Sequence, residues 1–275
     1  MPIVAMTREM GSLGKDVAAG LAAELRVPLV HHEIIDSLAD KMRLRKSHVV
    51  RLLDGNAGIL ERLTADDTSL SIFTEAELCS LVLRGSGAVV RGWGATHLFA
   101  RVPHVVRVRV CAPPELRQRR MMERLRTEDE DFVEEEIRRS DEAQRAIIRR
   151  YFNVDWTDAS HYDLVLNTER LPVTGCIAAV LALVRSQRFA ETEASRRGLV
   201  DVALQSQVRA ALRGDRRTRE LRVEVEALDG VVKLSGLADD EDQSLTAEQL
   251  AAAVPGVSRV NCDLRAHSRI RARNA

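Results

Sequence analysis

Aromatic residues make up only 3% of this 275-residue chain, and its 41 lysines and arginines are matched by 41 aspartates and glutamates. So few aromatics argue against a platform on which bases stack. Zero net charge removes any global electrostatic case for nucleic acid or acidic lipid. The four cysteines, Cys79, Cys111, Cys176 and Cys262, lie far apart and form no C-x-x-C pair. Neither a zinc site nor a disulfide framework is expected, and Cys111 and Cys176 read as core thiols. The longest apolar run, 176–184, is about half of what a membrane span needs. The opening residues lack the basic-then-apolar pattern of an export signal, so a cytoplasmic location is expected. Hydrophobic residues at 45% and charged ones at 30% remain, the balance of a globular protein.

Against those absences the first 25 residues stand out. An apolar run, Ile3-Val4-Ala5-Met6, is followed by Thr7-Arg8-Glu9-Met10-Gly11-Ser12-Leu13-Gly14-Lys15-Asp16 and then by an amphipathic stretch to Leu25. Strand, glycine-containing turn and helix is the context of a phosphate-binding loop. The first amides of a helix have no partner within it, and the helix dipole favours an anion there. Gly11, Ser12, Leu13, Gly14, Lys15 and Asp16 are the candidate phosphate-binding residues, with Lys15 as the cation. The pattern G-x-x-x-x-G-K-[ST] is incomplete: Glu9 stands at its first glycine and Asp16 at its hydroxyl, which usually holds Mg²⁺. Asp16 or Ser12 is the substitute available. The same residues also read as an ordinary strand–turn–helix corner with a solvated lysine.

Further along, 27–30 reads as a second strand, followed by His31-His32-Glu33 and a helix at 34–42. Adjacent histidines point apart, so no metal site is expected there. Helix continues in part from 43 to 75, interrupted at Asp54-Gly55-Asn56 and at 64–69, and a further helix spans 75–84. Ala88-Val89-Val90 is a buried strand ending in Arg91-Gly92-Trp93-Gly94. Ligands of open parallel sheets bind at that end of the strands, which makes Arg91 a candidate anion ligand or else a structural arginine. Val105 to Cys111 is a strand stopped by Pro113-Pro114. The helix at 115–125 places Arg117, Arg120 and Arg124 on one face. That face is either solvated or a phosphate clamp. Residues 127–150 form a strongly charged helix, a flap or a plain solvated element. A strand at 163–167 and a helix at 174–188 follow. Five short strands with helices between them predict a parallel sheet covered on both faces.

The order of these pieces, with the Thr7–Lys15 loop, Val89-Val90-Arg91-Gly92-Trp93-Gly94-Ala95, Arg119-Arg120, Asp155-Trp156 and Tyr162 to Thr168, resembles the cytidylate-kinase-like family, a branch of the P-loop nucleoside monophosphate kinases. The resemblance covers about residues 1–188. It implies an α/β P-loop kinase-like fold and phosphoryl transfer from ATP, with Mg²⁺, to a monophosphate such as CMP. It gives Gly11 to Lys15 the donor phosphates and Arg91 the acceptor phosphate. It gives Lys15, Arg120, Asp141 and Arg145 the transferring group. The chain departs from the family at Glu9, at Asp16, at Trp93 where an arginine is usual, and in the thinner acid–arginine alternation around Asp141 and Arg145. A degenerate nucleotide-binding sensor, or an interaction protein with a scaffold first domain, is the alternative.

Residues 189–198 are polar and read as a linker. Beyond them come a helix at 200–212, alternation from 221 to 227, Asp229-Gly230 as a hairpin turn, a returning strand at 231–236, a helix at 244–254 and a strand at 257–264. This small α+β unit, 199–267, resembles a BON domain. The resemblance implies a phospholipid or protein partner. The basic residues of 268–275 read as a solvated tail or a contact for anions.

Overall fold

The structure is a computed structural model that describes residues 1–31, 34–53, 67–92 and 94–266. The readings made on His32, Glu33, Asp54-Gly55-Asn56, residues 64–66, Trp93 and the tail 268–275 lie outside the described residues. The chain divides into two compact units, Met1–Arg196 and Arg197–Ala275.

The first unit is a five-stranded sheet in the order β2-β3-β1-β4-β5, all pairs parallel. Its strands are β1 Ile3–Arg8, β2 Leu29–Val30, β3 Ala88–Arg91, β4 Val105–Cys111 and β5 Leu164–Asn167. Successive side chains of a strand face opposite ways. Val4 and Met6 pack into one apolar cluster, yet Ile3 and Ala5, on the other face, are also buried. Burial on both faces is what a sheet with helices on either side requires. On the side of Val4 lie α1 Gly14–Leu25 and a later helix, α8 Val173–Val184, so close that a Cβ at Gly20 would meet Ile177 Cδ1 at 2.3 Å.

Between β2 and β3 lie α2 Ile35–Met42, α3 Lys46–Leu53 and α4 Asp67–Arg84. The last begins earlier than its polar start suggested. Leu70 and Phe73, three positions apart, are both buried, and their burial carries the helix through Thr68 and Ser69. After β3 comes the short α5 Ala95–Leu98, and after β4 come α6 Pro114–Leu125 and α7 Glu130–Phe152. Pro114 at the first position of α6 loses no helical bond, and Asp129 caps α7 by accepting from the Phe132 amide at 2.9 Å.

The second unit has a three-stranded sheet, β6 Arg222–Leu228, β7 Val231–Ala238 and β8 Arg259–Ala266, with β6 antiparallel and β8 parallel to β7. Asp229 and Gly230 both adopt positive φ, as the tight hairpin turn demands. α9 Glu193–Gly214 and α10 Glu241–Ala252 supply Leu204, Val208, Ala247 and Ala251 to its core. The stretch read as a linker is helical from Glu193. Thr192 and Ser195 explain this, since the Ser195 amide donates to Thr192 Oγ1 at 3.1 Å and the Thr192 amide to Ser195 Oγ at 2.9 Å. That reciprocal cap starts α9 within the polar run. No helix among the described residues is long and apolar enough to cross a membrane.

Candidate phosphate-binding site

The chain leaves β1 beside β4, with the Glu9 amide on the Val110 carbonyl at 3.0 Å, and turns into α1 through residues 9–13. Two glycines are needed there for different reasons. Gly11 has φ +79°, and a Cβ on it would meet the Arg117 backbone oxygen at 2.7 Å. Gly14 lies against β1 and β4, where a Cβ would come within 2.6 Å of Arg8 Cβ. Leu13, ahead of α1, is left-handed at φ 59°, a conformation that costs a non-glycine residue about 1 kcal/mol. It offers no side-chain cap. Among the described residues, no acceptor meets the amides of Leu13, Gly14 or Lys15. These N–H groups, the positive end of α1 and the exposed Lys15 together make a corner of positive potential.

The loop is held from behind by polar groups. Ser12 is fully buried, its hydroxyl donating to the Glu9 carbonyl at 2.8 Å. Arg117 Nη1 donates to the Met10 carbonyl at 3.1 Å and to Asp141 Oδ2 at 2.6 Å, and the Met10 amide donates to Asp141 Oδ1 at 3.2 Å. Arg120 Nη1 reaches the Gly11 carbonyl at 3.5 Å and Thr168 Oγ1 at 2.9 Å, while its Nη2 donates to the Thr168 carbonyl at 2.8 Å. Glu9 turns away from the hollow. Its carboxylate pairs with Arg109 at 2.6 Å, accepts from the Ala112 amide at 3.3 Å and stands 3.7 Å from Arg117 Nε. Two carboxylates and two guanidinium groups, Glu9, Asp141, Arg109 and Arg117, balance each other beneath the loop. Burial, and next the negative charge of Glu9, pushes the nearby Cys111 thiol upward, which keeps it protonated.

Gly11 to Asp16, Arg120 and Asp141 thus come together at one corner. Arg145 lies one turn beyond Asp141 on α7, exposed. Arg91 ends β3 beside Met6 of β1 and is 6% exposed. Three contributors escaped the sequence reading: Glu9 as the ion-pair centre, Arg109 on β4, and Thr168 just after β5. Arg117, read only as part of a basic face, sits one turn before Arg120, and that spacing was the available signal.

A five-stranded parallel sheet in this order, with a glycine loop between β1 and α1, defines a P-loop kinase-type α/β fold. Residues 3–170 match the cytidylate kinase-like family, and the chain belongs to that family. Residues 200–266 match the BON domain. The chain is 27% identical over 140 residues to a cytidylate kinase of Methanosarcina acetivorans, covering 50% of this chain and 74% of that one. Over 65 residues it is 45% identical to osmotically-inducible protein Y of Escherichia coli, covering 24% of this chain and 32% of that protein's length. Among solved structures, a protein from Eubacterium ventriosum superposes with a TM-score of 0.53 at 19% identity, over 68% of this chain and all of that one.

Proposed function

We propose that the first unit binds a nucleoside triphosphate at the loop 9–16 and transfers its terminal phosphoryl group from ATP to a CMP-type monophosphate, in the cytoplasm, where that donor is made. The observation that carries this reading is the set of unclaimed amides at Leu13, Gly14 and Lys15 beside the exposed Lys15 ammonium. Phosphoryl transfer asks the protein mostly for positioning and charge neutralisation, which amides, a lysine and arginines supply. In this reading Arg91 takes the acceptor phosphate, Arg145 and Asp141 act from α7, and Arg120 holds the loop that receives the donor.

Mg²⁺ fits the residues present at one point. Ser12 has spent its hydroxyl on the Glu9 carbonyl and is buried. Asp16, exposed on the first turn of α1, is the remaining oxygen donor. Mg²⁺ takes one or two carboxylates plus phosphate oxygens and water, and it would bring charge neutralisation to the donor phosphates. A carboxylate in place of a hydroxyl also supports a second reading, a sensor that binds nucleotide without turnover. The BON domain would serve as the module that contacts a phospholipid surface or a protein partner.

A coupled assay with ATP, Mg²⁺ and each monophosphate in turn separates the readings. Turnover with CMP is expected; triphosphate binding without turnover points to the sensor. Lys15→Ala should lower affinity for ADP by about tenfold or more. Unchanged affinity in a calorimetric titration sinks the loop assignment.

A further inference from the structure

Thr168 lies outside the loop, at the end of β5, yet it is only 3% exposed and bonds to the loop, to β4 and to α6. Its amide donates to the Cys111 carbonyl of β4 at 3.0 Å. Its hydroxyl donates to the Ser12 carbonyl at 2.9 Å and accepts from Arg120. Its carbonyl accepts from Arg120 as well. An end-of-strand threonine that merely satisfied itself would not need a loop 156 residues earlier in the chain.

The consequence follows from peptide planarity. In a trans peptide the C=O of one residue and the N–H of the next point in opposite directions. A carbonyl drawn to one side therefore aims the following amide to the other. The Ser12 carbonyl is drawn toward Thr168, so the Leu13 amide is aimed away from Thr168, toward the side where the loop has no acceptor of its own. The same logic applies to the Met10 carbonyl, held by Arg117, and the Gly11 amide that follows it.

We propose that Thr168 is a positioning residue for phosphate binding: by fixing the Ser12 carbonyl it holds the Leu13 amide facing the anion. This rests on the phosphate-loop reading and adds to it the group that orients the loop. Thr168 is the best point of test because a hydroxyl can be removed without changing charge. Arg117 and Arg120 cannot be tested so cleanly.

The experiment uses the full chain as wild type, Thr168→Val and Thr168→Ser. ADP with Mg²⁺ is titrated calorimetrically, and hydrogen exchange of peptides spanning 10–16 and 105–111 is followed without nucleotide. Thr168→Val should weaken ADP about tenfold and speed exchange in 10–16 while leaving the β4 peptide protected. Thr168→Ser, which keeps the hydroxyl, should restore both. Wild-type ADP affinity in Thr168→Val overturns the proposal and leaves the phosphate loop standing. So does faster exchange in the β4 peptide that Ser does not rescue, since that is general loosening. A wild-type chain that binds no ADP overturns the loop reading and this proposal together.

Discussion

Glu9 occupies a place where a glycine would serve a phosphate loop, and a carboxylate there should repel the ligand. The repulsion is met by geometry, because the side chain leaves the hollow for Arg109, Arg117 and the Ala112 amide. Arg109 in turn lies 5.2 Å from the ring centre of Trp156, whose indole N–H donates to Thr7 Oγ1 at 2.8 Å. Glu9 is therefore an anchor between β1, β4 and α6. Its arginine neighbours, Arg109 and Arg117, are 10% and 11% exposed, so a guanidinium left without it loses a partner in a poorly solvated place. Glu9→Ala should cost about 2 kcal/mol of stability in urea unfolding, and Glu9→Gln, which still accepts from Ala112, about half that. Equal costs for the two would mean that charge at this position is immaterial. None of this could be read from sequence, where Glu9 appears only as a gap in a motif. Its partners lie about 100 residues away, and side-chain pairing across a sheet leaves no local pattern.

Among elements, the ones that were legible were those with a period. β1 and β3 announced themselves as apolar runs, β4 by its alternation of valine and arginine, and the hairpin of the second unit through Asp229-Gly230. The basic face of α6 was legible as a face, either solvated or a phosphate clamp: Arg117 and Arg120 turn onto the loop, while Arg124 stays exposed. The seam between α5 and α7 was silent. There His97 packs 5.4 Å from Phe152, 5.5 Å from His161 and 6.1 Å from Tyr162 between ring centres, and a Cβ on Gly94 would meet Phe152 at 2.5 Å. Burial, then the charges of His161 and Arg107, pulls the His97 pKa from 6.5 down to about 4. The native state thus holds fewer protons at this ring than the unfolded chain does between those two values. The stability it contributes is whole above about pH 6.5 and is lost as pH falls through 4, roughly 2 kcal/mol after allowing for partial exposure. His97→Phe, with nothing to protonate, should lose less stability between pH 7 and pH 4 than wild type does in parallel urea titrations. A parallel decline in the two proteins would show that burial of this ring does not govern the acid limb.

At the scale of the whole chain, a nucleotide-type unit is followed by a small sheet with one covered and one open face. Along β6 and β7 the inward residues Val225, Val232 and Leu234 are buried, Val260, Cys262 and Leu264 of β8 are half-buried against them, and the alternate positions face outward. Their register puts Glu226, Lys233 and Asn261 in one row across the three strands, Glu224, Ser235 and Asp263 in the next, and Arg222, Leu237 and Arg265 in the last. Acids and bases are thus interleaved across the open face, with Leu228 and Leu237, 69% and 59% exposed, near its two ends. Interleaved charges give an anionic membrane little net attraction, since the acids of this face oppose its bases. Two separated leucines are also too small an apolar area to anchor a unit in lipid. A protein surface with matching alternation is the better fit to such a face. In sedimentation with vesicles of anionic phospholipid at 0.15 M salt, the full chain is therefore expected to stay in the supernatant. Pelleting that depends on anionic lipid and disappears at high salt would assign the second unit to membranes instead, with Arg222, Arg259 and Arg265 the first residues to replace.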